Sequence, residues 1–163
     1  MVPFFFGAQD TLYGAYHPPS PDAQGPETAL LICQGIGYEY MRAYRACWQM
    51  AETAAARNAH VLRFDYRGTG DSQGRQHDAS WAEWIANTRE AIAWLQHTTA
   101  LSHVRILGVR VGALIAAAAS AGDIDRRRLL FWDPVVDGEA YLRDIADMHE
   151  SQTRNMNRYR PRR

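Results

Sequence analysis

The segment HVRILGVRVGAL, residues 103–114, carries the clearest indication of the fold of this chain. Its first half is a short apolar run typical of a buried strand, and its end opens an alanine-rich helix predicted over residues 113–119. Between them lies a Gly-x-Arg-x-Gly turn, in which Gly108 and Gly112 stand two residues on either side of Arg110. Because glycine has no Cβ atom, these positions let the strand and the helix approach closely. The stretch therefore predicts a strand, a sharp turn with Arg110 at its apex, and a helix.

Such a turn is the pattern of a nucleophile elbow, where a strained backbone raises the apex side chain above the sheet. The apex here is Arg110, whose guanidinium stays protonated and therefore cannot attack a carbonyl. One interpretation is an anion clamp that binds a carboxylate, phosphate or sulfate. The other is a structural ion pair, because a desolvated arginine without a partner is costly. The candidate partners for such a pair are Glu39, Asp65, Asp71 and Asp133.

The rest of the chain alternates predicted strands and helices at the lengths of β/α units. An opening hairpin is predicted over 2–6 and 11–16, further strands over 29–33, 60–64 and 128–132, and helices over 39–57, 80–97 and 139–150. In the helix at 80–97, Ser80 and Glu83 have the spacing of a capping box. This order predicts an α/β fold with a mostly parallel sheet, helices on both faces and a buried strand at 128–132. Ligands of such sheets bind beyond the carboxyl ends of the strands.

Composition narrows the class of protein. A chain of 163 residues with 47% hydrophobic and 22% charged residues is typical of one globular domain. Its formal net charge of zero gives no reason to expect nucleic acid as a partner, and no apolar run is long enough for a membrane span. Cys33 and Cys47 lack metal-ligand spacing, and free thiols indicate a cytoplasmic protein. We predict no metal and no cofactor, because no histidine pair has the spacing of a zinc site.

Four segments together resemble the α/β-hydrolase superfamily. They are LLICQG at 30–35, RFDYRGTGDS at 63–72, the elbow at 108–112 and FWDPVVDG at 131–138. The resemblance covers roughly residues 10–148. It is strongest to the serine aminopeptidase-like branch and to hydrolases associated with exosortase A systems, in which we associate an apex arginine with one subgroup.

The resemblance implies roles for particular residues. Gly35 and Ile36 occupy the oxyanion turn, whose backbone N–H groups would act with that of Val111, and Asp133 stands at an alternative position for the catalytic acid. The family carries its usual acid and its histidine after a seventh and an eighth strand, which this sequence lacks. We therefore interpret the chain either as a fragment or as a half-domain that completes its sheet as a homodimer or with a partner chain.

The sequence thus predicts an α/β-hydrolase-like domain over residues 1–150, incomplete at its C-terminal end, and an arginine-rich flexible tail over 151–163. The favoured hypothesis is a non-catalytic or partner-dependent hydrolase homologue. It would bind a small acyl or anionic ligand through Arg110, Val111, Gly35 and Ile36. The alternative is an active ester, thioester or amide hydrolase completed by a second chain or by further C-terminal residues. Cys33 and Ser72 are the substitute nucleophiles to consider, although a core role and a turn role fit them better.

Overall fold

The computed structural model describes residues 1–122 and 128–158. Its six strands are β1 (Val2–Phe6), β2 (Leu12–His17), β3 (Thr28–Cys33), β4 (Ala59–Phe64), β5 (Val104–Val109) and β6 (Leu129–Trp132). Its four α-helices are α1 (Gly37–Ala55), α2 (Trp81–Thr99), α3 (Val111–Ala119) and α4 (Gly138–Arg158), and short 3₁₀ turns lie at Ala8–Asp10 and Gln76–Asp78. None of the described helices is both long and apolar enough to cross a membrane.

All six strands belong to one sheet, in the order β1-β2-β4-β3-β5-β6. The hairpin β1–β2 is antiparallel and joins β4 in antiparallel register, whereas β4, β3, β5 and β6 are mutually parallel. The predicted α/β fold with a mostly parallel sheet is confirmed. Because parallel strands end at the same edge, the ends of β3, β4, β5 and β6 bring their following loops together.

The core lies on both faces of the central strand β3, whose alternate residues contact opposite layers of helices. Leu31 and Cys33, which are fully buried, pack with α2 and α3 in one cluster of buried side chains. Ile32, on the other face, packs against Cys47 and Ala51 of α1. A strand covered on both faces reads as a continuous apolar run, which is why residues 29–33 were recognisable in the sequence.

Helix α2 begins where the capping box places it. The Ser80 hydroxyl accepts a hydrogen bond from the Glu83 backbone N–H at 3.2 Å, and the Glu83 carboxylate accepts one from the Ser80 N–H at 2.8 Å. These bonds satisfy donors that a helix N-terminus otherwise leaves unpaired. The buried stripe of α2, which includes Ala91, Ile92 and Leu95, then covers the sheet.

The prediction of a buried strand at 128–132 is wrong. Strand β6 is not buried: Leu130, Phe131 and Trp132 are 51%, 49% and 45% exposed. The reason is that, among the described strands, β6 pairs only with β5 and forms an edge of the sheet. Helix α4 continues to Arg158, so residues 151–158 of the expected flexible tail are helical. The remainder of that tail, 159–163, lies outside the described residues.

Candidate functional site

The turn between β5 and α3 has the strained geometry of an elbow. Arg110 has φ 55° and ψ −125°, a backbone conformation that residues with a Cβ rarely adopt. A Cβ atom on Gly108 would lie 2.4 Å from the Ala113 Cα, and one on Gly112 would lie 2.2 Å from the Cys33 carbonyl oxygen. Both glycines are therefore required by close backbone contacts, and the predicted strand–turn–helix is confirmed.

Arg110 is held by two carboxylates above the sheet. Its Nε donates to Oε1 of Glu39 at 2.7 Å, and its Nη1 lies 3.0 Å from Oδ2 of Asp133. The same Nη1 donates to the Asp133 carbonyl oxygen at 3.2 Å. Two of the four predicted partners are thus correct. Asp65 instead accepts hydrogen bonds from the Tyr40 hydroxyl and from the backbone N–H of Asp71.

Tyr141 of α4 completes this cluster, and nothing in the sequence predicted it. Its hydroxyl donates to Oε2 of Glu39 at 2.8 Å, and its ring centre lies 5.9 Å from the Arg110 guanidinium carbon. Burial, reinforced by the hydrogen bond to Glu39, raises the pKa of Tyr141. The hydrogen-bonded Glu39 carboxylate also raises the pKa of Arg110 above its usual value. The cluster thus keeps a neutral phenol and a cationic guanidinium on one carboxylate.

The predicted oxyanion turn lies beside this cluster. A Cβ atom on Gly35 would lie 3.6 Å from the Cβ of Arg110, and Ile36 packs against the apolar group formed by Val111, Val135 and Tyr141. Within residues 1–122 and 128–158, the backbone N–H groups of Ile36 and Val111 donate to no protein acceptor. The structure therefore brings Gly35, Ile36, Arg110 and Val111 together, and their role in ligand binding stays a prediction.

A groove of about 490 Å³ opens beside Arg110, between α1 and the end of β6. Its lining combines apolar side chains with two arginines and two carboxylates: Tyr38, Glu39, Arg42, Ala43, Ala46, Val109, Arg110, Trp132, Asp133 and Met148. A cavity of about 700 Å³ lies at the other end of the sheet, beside Thr28 and His103, away from the elbow. The groove next to Arg110 reaches the elbow and the carboxyl ends of β5 and β6.

We compared the sequence with those of known protein families. The sequence profile of the family described as serine aminopeptidase, S33, matches residues 24–162. The chain belongs to the serine aminopeptidase S33 family. Comparison with curated proteins gives no significant match.

Solved structures share the fold of this S33-family chain at low sequence identity. ATU1826 from Agrobacterium tumefaciens, a protein of unknown function, is 20% identical with a TM-score of 0.62, over 82% of this chain and 60% of that one. XC6422 from Xanthomonas campestris, an α/β serine hydrolase without a lid, is 20% identical with a TM-score of 0.58, over 68% and 50%. An α/β serine hydrolase homologue from Coxiella burnetii is 16% identical with a TM-score of 0.59, over 75% and 58%. The chain therefore spans little more than half the length of these proteins.

The two substitute nucleophiles of this S33-family member, Cys33 and Ser72, both have structural roles. Cys33 is fully buried, and burial raises the pKa of its thiol to about 12. The Ser72 hydroxyl donates to the Asp65 carbonyl at 2.6 Å and accepts from the Tyr13 N–H at 2.9 Å, which is a turn role. In the described part of the chain, no histidine hydrogen-bonds to Cys33, Ser72, Arg110 or Asp133. The described residues therefore place an ion-pair cluster, and no nucleophile–histidine pair, at the elbow.

Proposed function

We propose that this S33-family chain binds a small anionic or acyl ligand at its elbow and does not hydrolyse it. The observation that carries the proposal is the Arg110 guanidinium at the elbow apex, 2.7 Å from Glu39. A guanidinium stays protonated and offers no lone pair for attack on a carbonyl. Loss of the nucleophile of a working serine protease triad lowers turnover by about 10⁶. What the apex keeps is a fixed cation for recognition of an anion.

The surroundings of Arg110 support ligand binding. Its ion pair with Asp133 is exposed to solvent, since the Asp133 side chain is 72% exposed, and exposed pairs contribute about 0–1 kcal/mol. A ligand anion therefore competes with Asp133 at little cost. The N–H groups of Ile36 and Val111, which have no protein acceptor in the described chain, supply further donors beside the same cation.

Ester hydrolysis and ligand protection test this proposal together. We expect the purified chain to hydrolyse short-chain p-nitrophenyl esters and thioesters no faster than the uncatalysed background reaction. We also expect carboxylates to raise its midpoint of thermal unfolding, and Arg110→Ala to abolish that protection. Arg143→Ala is the matched control, because Arg143 is an exposed arginine paired with Glu139 on α4. Turnover above background by the wild-type chain, or equal protection of Arg110→Ala, would refute the proposal.

We further propose that strand β6 pairs with a second copy of the chain. The half-exposed apolar side chains of β6 support pairing of this strand with a second copy of the chain. The alternative function, an ester, thioester or amide hydrolase, requires a second chain or further C-terminal residues to supply the histidine, together with an unconventional nucleophile. Hydrolysis that appears only in the associated form would favour the alternative.

We also propose where the chain acts in the cell. The similarity of residues 131–138 to exosortase-associated hydrolases, with the free buried thiols of Cys33 and Cys47, supports a cytoplasmic protein of such a system. Fractionation of cells that express the tagged chain tests this: recovery outside the cytoplasmic fraction contradicts it.

A further inference from the structure

We propose that the ligand of the elbow is a monocarboxylate with an apolar tail. In the absence of this ligand, the Asp133 carboxylate occupies the position of the ligand carboxylate on Arg110. The inference rests on the proposed anion-binding function and specifies its ligand. On this view the carboxylate of the ligand replaces that of Asp133 on Arg110, while the tail lies in the groove between α1 and β6.

The two carboxylates on Arg110 are held unequally, which identifies the exchangeable one. The Glu39 side chain is 17% exposed, accepts from Arg110 Nε at 2.7 Å and accepts from the Tyr141 hydroxyl at 2.8 Å. The Asp133 side chain is 72% exposed, and in the described chain its carboxylate contacts Arg110 alone. Asp133 also lies in the segment between β6 and α4, so its side chain can turn into solvent without breaking a strand or helix. Asp133 is therefore the group that a ligand displaces.

The charges around Arg110 favour a monoanion. Once Asp133 has left, the guanidinium still pairs with Glu39, so an incoming anion meets one cation and one nearby carboxylate. A phosphate dianion would be repelled by Glu39 more strongly than a carboxylate would. Arg42, which lines the groove and stacks over the Tyr38 ring at 4.8 Å, adds a second positive charge at the rim. The site therefore matches the charge and size of the Asp133 carboxylate that occupies it.

The groove beside the exchangeable position accounts for the tail. Its lining includes the small side chains of Ala43 and Ala46 on α1, the buried Val109 of β5 and the half-exposed Trp132 of β6. Its volume of about 490 Å³ is within the range of small-molecule pockets. Burial of methylene groups against these side chains contributes affinity that a carboxylate alone lacks.

Calorimetric titration with hexanoate, acetate, hexanamide and inorganic phosphate tests the inference. We expect hexanoate to bind more tightly than acetate or phosphate, and hexanamide not to bind, because it lacks the charge. Asp133→Asn removes the internal competitor and should strengthen hexanoate binding about threefold. Ala46→Leu fills the groove and should weaken binding of hexanoate but not of acetate. Asp144→Asn, an exposed carboxylate on α4, is the control and should change nothing.

The outcomes separate this inference from the function on which it rests. Equal affinities for hexanoate and acetate, both lost in Arg110→Ala, overturn the tail and keep the anion site. Hexanoate binding that Asp133→Asn does not strengthen overturns the displacement of Asp133, provided that the variant keeps its helical circular dichroism. Should that signal be lost, Asp133→Ser replaces Asp133→Asn in the same titration. Absence of binding by every anion refutes the proposed function itself.

Discussion

Arg110 and Glu39 form an ion pair at the elbow that is partly shielded from water. The Glu39 carboxylate is mostly buried and is hydrogen-bonded on both oxygens, by Arg110 and by Tyr141. Charged hydrogen bonds of this kind contribute more to stability than neutral ones, and a partner left without one is costly. The residues of this cluster therefore stabilise the chain as well as shape the site.

The variant Glu39→Gln tests that stabilisation. We expect it to lower the free energy of unfolding by about 2 kcal/mol, because Arg110 loses its buried anion. Tyr141→Phe should cost about 1 kcal/mol, since it removes one hydrogen bond and keeps the ring. Urea denaturation measures both. Glu139→Gln removes the exposed partner of Arg143 and should stay within about 0.5 kcal/mol of wild type. Equal losses in Glu39→Gln and Glu139→Gln would show that the cluster adds no stability.

A second buried charge network surrounds His17. The Arg63 Nε donates to His17 Nε2 at 3.2 Å, so this nitrogen must be the acceptor of a neutral imidazole. The opposite nitrogen, Nδ1, therefore carries the proton and donates to Glu52 at 2.6 Å. Burial lowers the pKa of His17, and the nearby Arg63 acts in the same direction against the hydrogen bond to Glu52.

This arrangement predicts a loss of stability in mild acid. Because the pKa of His17 is lower in the folded chain than its unfolded value of about 6.5, the unfolded state binds the extra proton first. The His17 contribution to stability is complete above that value and declines as pH falls through it toward the folded pKa. Urea denaturation between pH 8 and pH 5 measures the decline, and His17→Gln should remove it.

Comparing the wild type with His17→Gln at each pH isolates this effect. Burial raises the pKa of Asp65, which favours the folded chain as pH falls, but this contribution is common to both proteins and cancels in their difference. A difference in unfolding free energy that stays constant with pH would contradict the neutral, buried state of His17.

At the scale of elements, the contact of α3 with β3 depends on Gly112. The Cβ atom of an alanine there would meet the Cys33 and Gln34 carbonyl oxygens at 2.2 and 2.5 Å, and backbone atoms cannot move aside as side chains do. We expect Gly112→Ala to lower the free energy of unfolding by at least about 3 kcal/mol. Gly138→Ala, at the start of α4, meets nothing within 4 Å and should change it by less than about 0.5 kcal/mol. Thermal and urea unfolding of both variants measure the contrast; similar stability would disprove the close packing.

The sequence predicts well those features of the fold that depend on residues close together in the chain. The glycine spacing around Arg110 and the capping box at Ser80 each lie within a few residues, and both are found in the structure. The contact between Tyr141 and Glu39 joins residues 102 positions apart, so no local pattern indicates it. The run at β6 has the composition of a strand covered on both faces, and composition alone does not show whether a neighbour is present.

In the molecule as described, residues 1–122 and 128–158, the sheet has two edges of different character. Strand β1 carries Pro3, which has no N–H to offer to another strand, whereas β6 is Leu-Leu-Phe-Trp without a charge or a proline. An apolar edge of this kind pairs readily with another chain. The two edges therefore provide a matched comparison for association in solution.

Light scattering after size-exclusion chromatography measures this association at several concentrations. We expect the wild-type chain to associate and Phe131→Glu to be monomeric, because a carboxylate on β6 opposes a second apolar strand. Phe5→Glu, at a half-exposed position on β1, is the control and should associate as the wild type does. A wild-type chain that is monomeric at all concentrations, or equal disruption by both variants, would contradict pairing through β6.

The position of β3 in the sheet has a consequence for the order of folding. Its register joins Ala29 to Val104 of β5, so the strand at the centre of the sheet gains its second neighbour only when a much later segment has been synthesised. Until then one side of β3, with Leu31 and Ile32, lacks its native partner. Distant pairing of this kind slows folding and prolongs the time during which an apolar strand is accessible to chaperones or to aggregation. On a ribosome, the chain therefore completes its core only after β5 has emerged from the exit tunnel.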